Sequence, residues 1–203
     1  MNQIYDRRLD LIEILENRAG HPLPHAAILR ARLVHRSWRR GEALFHAGER
    51  VGYIALIRHG VVKFSYQSED GTERVRDFLS EGQVAACIGV LGDEEPVAYD
   101  GIACQDTEAE LLDVELLRGL VQSEPDWAHC LSLLLHDKAR HLTGRERSLL
   151  TLTPPERLAH ALAERPWLSE RVTQQDLAAY IGITPVSLSR LKARERQRLP
   201  AAT

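Results

Sequence analysis

Val172-Thr-Gln-Gln-Asp-Leu-Ala-Ala-Tyr-Ile-Gly-Ile-Thr-Pro-Val-Ser-Leu-Ser-Arg190 encodes two short helices and the tight turn between them. Thr173 and Asp176 have the spacing of a capping box, and Leu177, Ala178 and Ile181 supply one apolar face. Gly182 is the residue type that ends a helix in a left-handed conformation, and Thr184-Pro185 starts the next with a hydroxyl cap and a proline in the first turn. A turn of three or four residues between two helices is the helix-turn-helix arrangement, whose second helix enters the DNA major groove. In that helix Leu188 and Leu191 face inward, leaving Val186, Ser187, Ser189, Arg190 and Arg194 outward. Small residues near the tip allow close approach, and a guanidinium one turn deeper can bond guanine O6 and N7 bidentately. Thr173 and Gln174, at the preceding helix start, are placed for phosphate, and Thr184 and Lys192 complete the candidate DNA-binding set.

Charge supports the same end of the chain. Net charge is −3 overall, but residues 1–150 hold 18 Lys and Arg against 24 Asp and Glu, whereas residues 151–203 hold 8 against 5. Arg190, Lys192, Arg194, Arg196 and Arg198 face only Glu195, a cationic stripe suited to double-stranded DNA.

Upstream, Thr153-Pro-Pro-Glu156 is another capping box, which puts a domain boundary at 151–153. Before it, Ser123-Glu-Pro-Asp126 predicts a helix start with Ser123 as cap, opening a helix over 126–150 of roughly 37 Å at 1.5 Å per residue. Ala128, Leu131, Leu135, Ala139, Leu142 and Leu149 fall along one stripe, interrupted by Glu146. A rod longer than one small domain needs seeks a partner helix, so Leu131, Leu135, Ala139 and Leu142 are the expected homodimer interface.

The first forty residues are expected to be mostly helical, through Leu9, Ile12, Leu15 and, after the break at 20–24, Ile28, Leu29 and Leu33. From Gly41 the grammar changes to short β-prone runs at 53–57, 61–66, 74–79, 97–104 and 109–114, punctuated by glycines and the Asp70-Gly71 turn. A short helix over 115–122 follows. The predicted class is α+β: an antiparallel β-roll of double-stranded β-helix or jelly-roll type over 1–122, a long dimerisation helix over 123–152, and a helix-turn-helix domain over 153–203.

Composition narrows the alternatives. Apolar residues at 44% and charged residues at 27% are ordinary globular usage, which sets aside fibrous and disordered chains. The charged N-terminus is not a secretory signal and no long apolar run occurs, so the cytoplasm is expected and a membrane is not. Cys87, Cys104 and Cys130 lack zinc or disulfide spacing. No nucleophile triad, paired-acid site or His-x-His metal set stands out, which argues against an enzyme.

Gly41-Glu-Ala-Leu-Phe-His-Ala-Gly-Glu49, Ile57-Arg-His-Gly-Val-Val-Lys-Phe64, Asp70-Gly71 and Glu81-Gly82-Gln83, followed by the rod and the 172–190 motif, resemble the Crp/Fnr superfamily of bacterial transcription regulators. The resemblance spans about residues 30–195 and implies a homodimer that binds a near-palindromic operator, with RNA polymerase as a further partner and an effector in the roll. It places that pocket at Val62, Phe64, Gly82, Cys87, Pro96, Val97 and Tyr99. Members that bind cyclic AMP carry a G-E-L helix and an Arg-Ser or Arg-Thr pair. Here Ala86-Cys-Ile-Gly-Val-Leu91 and Pro96-Val97 stand in those places, so cyclic AMP should not bind in the usual way, and no cofactor is expected beyond an unidentified small effector. Many members have Glu where Val186 stands, so the operator should differ, since Val touches a thymine methyl but accepts nothing from cytosine. With 13 residues beyond Arg190, a full wing is not expected. Iron and haem sensing occur in the superfamily, but His129 and His136 are too far apart along the rod for one metal and His46 and His59 lack a second ligand, so no metal is expected. The competing reading is a ligand-binding or protein-docking module whose helix-turn-helix is only structural.

Overall fold

The structure is a computed structural model that describes residues 9–85 and 96–198. Among the described residues, eight strands form two antiparallel four-stranded sheets. β1 (Val34–Trp38), β3 (Tyr53–His59), β6 (Val84–Ala85) and β8 (Thr107–Asp113) make one, in the order β1-β8-β3-β6. β2 (Ala43–Phe45), β4 (Val62–Gln67), β5 (Glu73–Leu79) and β7 (Asp100–Ala103) make the other, in the order β2-β7-β4-β5. Val62 and Phe64 join Phe45, Ala55, Ile57, Leu79 and Ala109 in the apolar interior, but a register shift after Phe64 buries Ser65 and leaves Tyr66 exposed. Two glycines are required by this packing. At Gly60, φ is +100° and a Cβ would lie 2.4 Å from Thr107 Oγ1, while a Cβ on Gly101 would lie 2.7 Å from the Phe45 ring.

Helices α1 (Leu11–Ala19), α2 (Ala26–Arg30) and α3 (Val114–Ser123) pack with α4 (Pro125–Thr151) against the outer face of the first sheet. α1 starts with a full capping box, Asp10 with Glu13, and ends at Gly20 in the left-handed conformation. Beyond α4 come α5 (Pro154–Glu164), α6 (Leu168–Arg171), α7 (Gln174–Ile181) and α8 (Pro185–Arg198). Their core contains Leu158, Leu168, Leu177, Ile181 and Leu188, and it is continuous with Val61, Val75 and Phe78 of the roll.

Four local expectations are corrected. Helix was expected through the first forty residues, yet residues 34–38 are a strand whose first four residues are exposed; pairing with β8 makes it extended, a tertiary cause that local periodicity does not record. Ser123 is not the cap of the long helix but the last residue of α3; Glu124 holds the cap position without a side-chain bond. The strand expected over 97–104 is limited to β7, because residues 97 and 48–49 exchange backbone hydrogen bonds outside the ladder. Leu131 is withdrawn from the dimer seam, since it is buried in the chain's own core with Leu11, Ile12 and Leu15.

Candidate nucleic-acid interface

The local chemistry of the helix-turn-helix is satisfied from within. Thr173 Oγ1 accepts from the Asp176 N–H at 3.0 Å and donates to Asp176 Oδ2 at 2.7 Å, closing the start of α7. Gly182, at φ +74°, donates to Ala178 O and turns the chain. Ile183 and Thr184 then lead to α8, and Thr184 Oγ1 accepts from the Ser187 N–H and donates to Ser187 Oγ. Leu188 is fully buried and Leu191 half-buried, so α8 is anchored by the two residues read as its inward face.

The opposite face is open. Thr173, Gln174, Thr184, Val186, Ser187, Ser189, Arg190 and Arg194 are all exposed, Val186 at 60% despite its apolar side chain. Lys192 is half-buried and donates to Gln174 Oε1 at 2.6 Å, tying α8 to the first turn of α7. Those two groups therefore satisfy each other in the absence of phosphate, and an arriving phosphate would compete for the lysine's proton donors.

The base of this unit is fastened to the roll by ion pairs that sequence reading missed. Lys63 of β4 lies 2.6 Å from Asp176 and 2.8 Å from Glu73. Arg171 of α6 bonds both oxygens of Glu81 at 2.7 Å and also reaches Gly60 O. Burial alone would raise the Glu81 carboxyl, but the Arg171 hydrogen bonds and nearby backbone donors outweigh it and hold it at about 2. Asp77 of β5, 1% exposed, is bonded by Lys138 and His141 from α4 and by Arg165 at the end of α5. Burial opposes its ionisation, yet Arg165, His141 and Lys138 together hold it well below the usual carboxylate range. The signal was present in the sequence as Val75-x-Asp77-x-Leu79, a charge at the parity of buried residues, but its partners lie 61, 64 and 88 positions away.

Of the residues expected around an effector, Val62, Phe64, Val97 and Tyr99 come together in one apolar cluster. Phe64 and Tyr99 ring centres are 5.1 Å apart, Phe45 completes the group, and the Arg76 guanidinium lies 4.6 Å over Tyr99. Gly82 is buried in the turn before β6, while Pro96 is exposed. The Val97 N–H is taken by Glu49 O at 2.9 Å, and proline has none, so this dipeptide offers no amide to an anion. Cys87 lies outside the described residues. A separate cleft of about 730 Å³ sits between roll and α6, lined by Arg40, His59, Glu81, Cys104, Arg171 and Thr173 among others; it shares none of the expected pocket residues. Burial pushes the thiols of Cys104 and Cys130 up to about 12 and about 11, leaving both protonated and unreactive.

On α4, Leu135 and Leu142 are half-buried, Ala139 is exposed, and Leu149 and Leu150 are 39% and 77% exposed. Leu135 packs against the core that holds Leu131, whereas Ala139, Leu149 and Leu150 are open. Among the described residues no group of three or more His, Cys, Asp and Glu side chains could hold a metal, and no helix is long and apolar enough to cross a membrane.

Comparison with known proteins agrees with this geometry. Residues 35–124 match the cyclic nucleotide-binding domain family. The chain is 24% identical over 170 residues to the cAMP-activated global transcriptional regulator CRP of Pasteurella multocida, covering 78% of this chain and 81% of that one. It is 25% identical over 173 residues to the fumarate and nitrate reduction regulatory protein of Vibrio cholerae, covering 77% and 66%. Among solved structures, FixK2 from Bradyrhizobium japonicum superposes with a TM-score of 0.74 at 20% identity, covering 84% of this chain and 89% of that one.

Proposed function

We propose that this chain is a Crp/Fnr-type transcriptional regulator, a reading supported by its likeness to the cyclic nucleotide-binding domain family and to two bacterial regulators, and that it acts as a homodimer reading a near-palindromic DNA site through α8. The observation that carries this reading is the division of α8 into a buried Leu188 and an exposed face of Val186, Ser187, Ser189 and Arg190, small at the tip and cationic a turn deeper. The N-terminus of α7, with Thr173 and Gln174, supplies phosphate contacts, and Arg194 and Lys192 add charge. Two such helices in a dimer would meet successive major grooves about 34 Å apart. RNA polymerase would be its partner at a promoter, and the likeness to transcriptional regulators supports a regulatory role.

Selection of bound fragments from the source genome, at two salt concentrations, tests the reading with wild type beside Arg190→Ala. The expected result is a palindrome that the variant loses by about 1 to 3 kcal/mol in affinity. Salt-sensitive recovery without sequence preference, identical in both proteins, would sink it in favour of a structural helix-turn-helix.

The roll is proposed to have left cyclic nucleotide recognition. A cyclic phosphate would meet an exposed Pro96 and an already bonded Val97 amide, and the interior around Val62, Phe64 and Tyr99 is filled by rings. Calorimetric titration with cyclic AMP at 1 mM should give no heat of binding, and a saturating isotherm below about 100 μM, roughly −5.5 kcal/mol, would overturn this.

A further inference from the structure

Three parts of the chain meet on one carboxylate. Asp77 receives Lys138 at 2.8 Å and His141 at 3.0 Å from α4, and Arg165 at 2.8 Å from the end of α5. An irregularity in the ladder places it there: Phe64 pairs with Asp77 and Ser65 with Val75, so Arg76 is the extra residue of a bulge, a device that re-aims the side chains around it. Neighbouring groups reinforce the junction. Arg165 also donates to Phe78 O at 3.0 Å, and Phe78 packs on Tyr180 of α7 with ring centres 5.2 Å apart. Arg145 of α4 donates to Val75 O on one side and Tyr180 O on the other, its guanidinium 3.7 Å over the Tyr180 ring.

A carboxylate this deeply buried among nitrogen donors has few alternative arrangements. Rotating the C-terminal helices away from β5 would break Arg165 from both Asp77 and Phe78 O and open the core they share with the roll, which is unfavourable. The orientation of α7 is thus indexed to α4, and α8 follows α7 after three residues with Leu188 locked in the shared core. If α4 is the dimer rod, the angle between the two copies of α8 is set at Asp77.

We infer that Asp77 is a positioning residue for DNA reading, fixing the half-site spacing that the dimer accepts. This rests on the dimeric, DNA-reading function proposed above. The test uses duplexes carrying the selected half-site as an inverted repeat, with the spacer as selected or changed by two base pairs either way, and a duplex with a single half-site. Wild type should bind the selected spacing at least tenfold more tightly than the altered ones. Asp77→Asn should bind all three spacings within threefold while keeping its single-half-site affinity within twofold of wild type, a pattern that general destabilisation does not produce. Should Asp77→Asn fail to fold by circular dichroism, Arg165→Gln, which removes the partner from the other side, is read in the same way. A folded variant that keeps the tenfold spacing preference overturns the role of Asp77 alone. A wild type with no spacing preference overturns the dimeric reading and this inference with it.

Discussion

Glu81 and Arg171 show how single residues join the parts of this protein. The folded Glu81 carboxyl sits at about 2, against 4.5 for an unperturbed glutamate. A folded value below the unfolded one means that the pair's stabilisation is complete above pH 4.5 and drains away as pH falls toward 2, up to about 3 kcal/mol. Urea midpoints measured at pH 5 and pH 3 should fall more steeply for wild type than for Glu81→Gln. Equal slopes would assign the acid sensitivity elsewhere, with Asp77 as the next group to replace. Neither partner announced this bond in the sequence. Glu81 reads as a turn residue beside Gly82, and Arg171 as one more charge before the Val172 motif, 90 positions away. By contrast Thr173, Gly182, Thr184 and Leu188 were legible, because caps, left-handed turns and the inward leucine are decided within four or five residues.

Elements follow the same rule. Strands β3, β4, β5 and β8 were readable from short β-prone runs and glycine spacing, and α4 from a long stretch whose one glycine is Gly144 and which has no proline after its first turn. β1 was not, since four of its five residues are exposed and its conformation depends on β8 across the sheet. The seam of α4 was half legible: a periodic leucine stripe does not say which part meets the chain's own core and which part stays open. Leu131 belongs to the first class with Leu135 packed against the same core, while Leu142 is half-buried and Ala139 is open to solvent. Ala139→Glu should therefore leave the monomer folded and abolish the dimer, since a charge would be buried only in the assembled state. Sedimentation velocity at micromolar concentration decides this; a variant that still sediments as a dimer would move the interface off this flank of the helix.

At the scale of the whole molecule, the sequence boundary at 151–153 separates two stretches whose packing is shared. Val61, Val75 and Phe78 of the roll lie in one cluster with Leu158, Leu177 and Leu188. A chain ending at residue 152 would expose the first three and strip Arg165 from Asp77. Its thermal unfolding followed by circular dichroism should fall by about 5 to 15 °C relative to the full chain. An unchanged midpoint would mean that the shared core contributes nothing to the roll. The junction also bears on transplantation. A DNA-reading segment moved onto another roll carries with it Arg165, Arg171 and Asp176, each shaped to a particular acceptor or donor on its old host. Exchanging the reading helix α8 alone keeps those sockets filled, whereas exchanging everything after 152 does not, so new operator preferences in this architecture are most readily acquired one helix at a time.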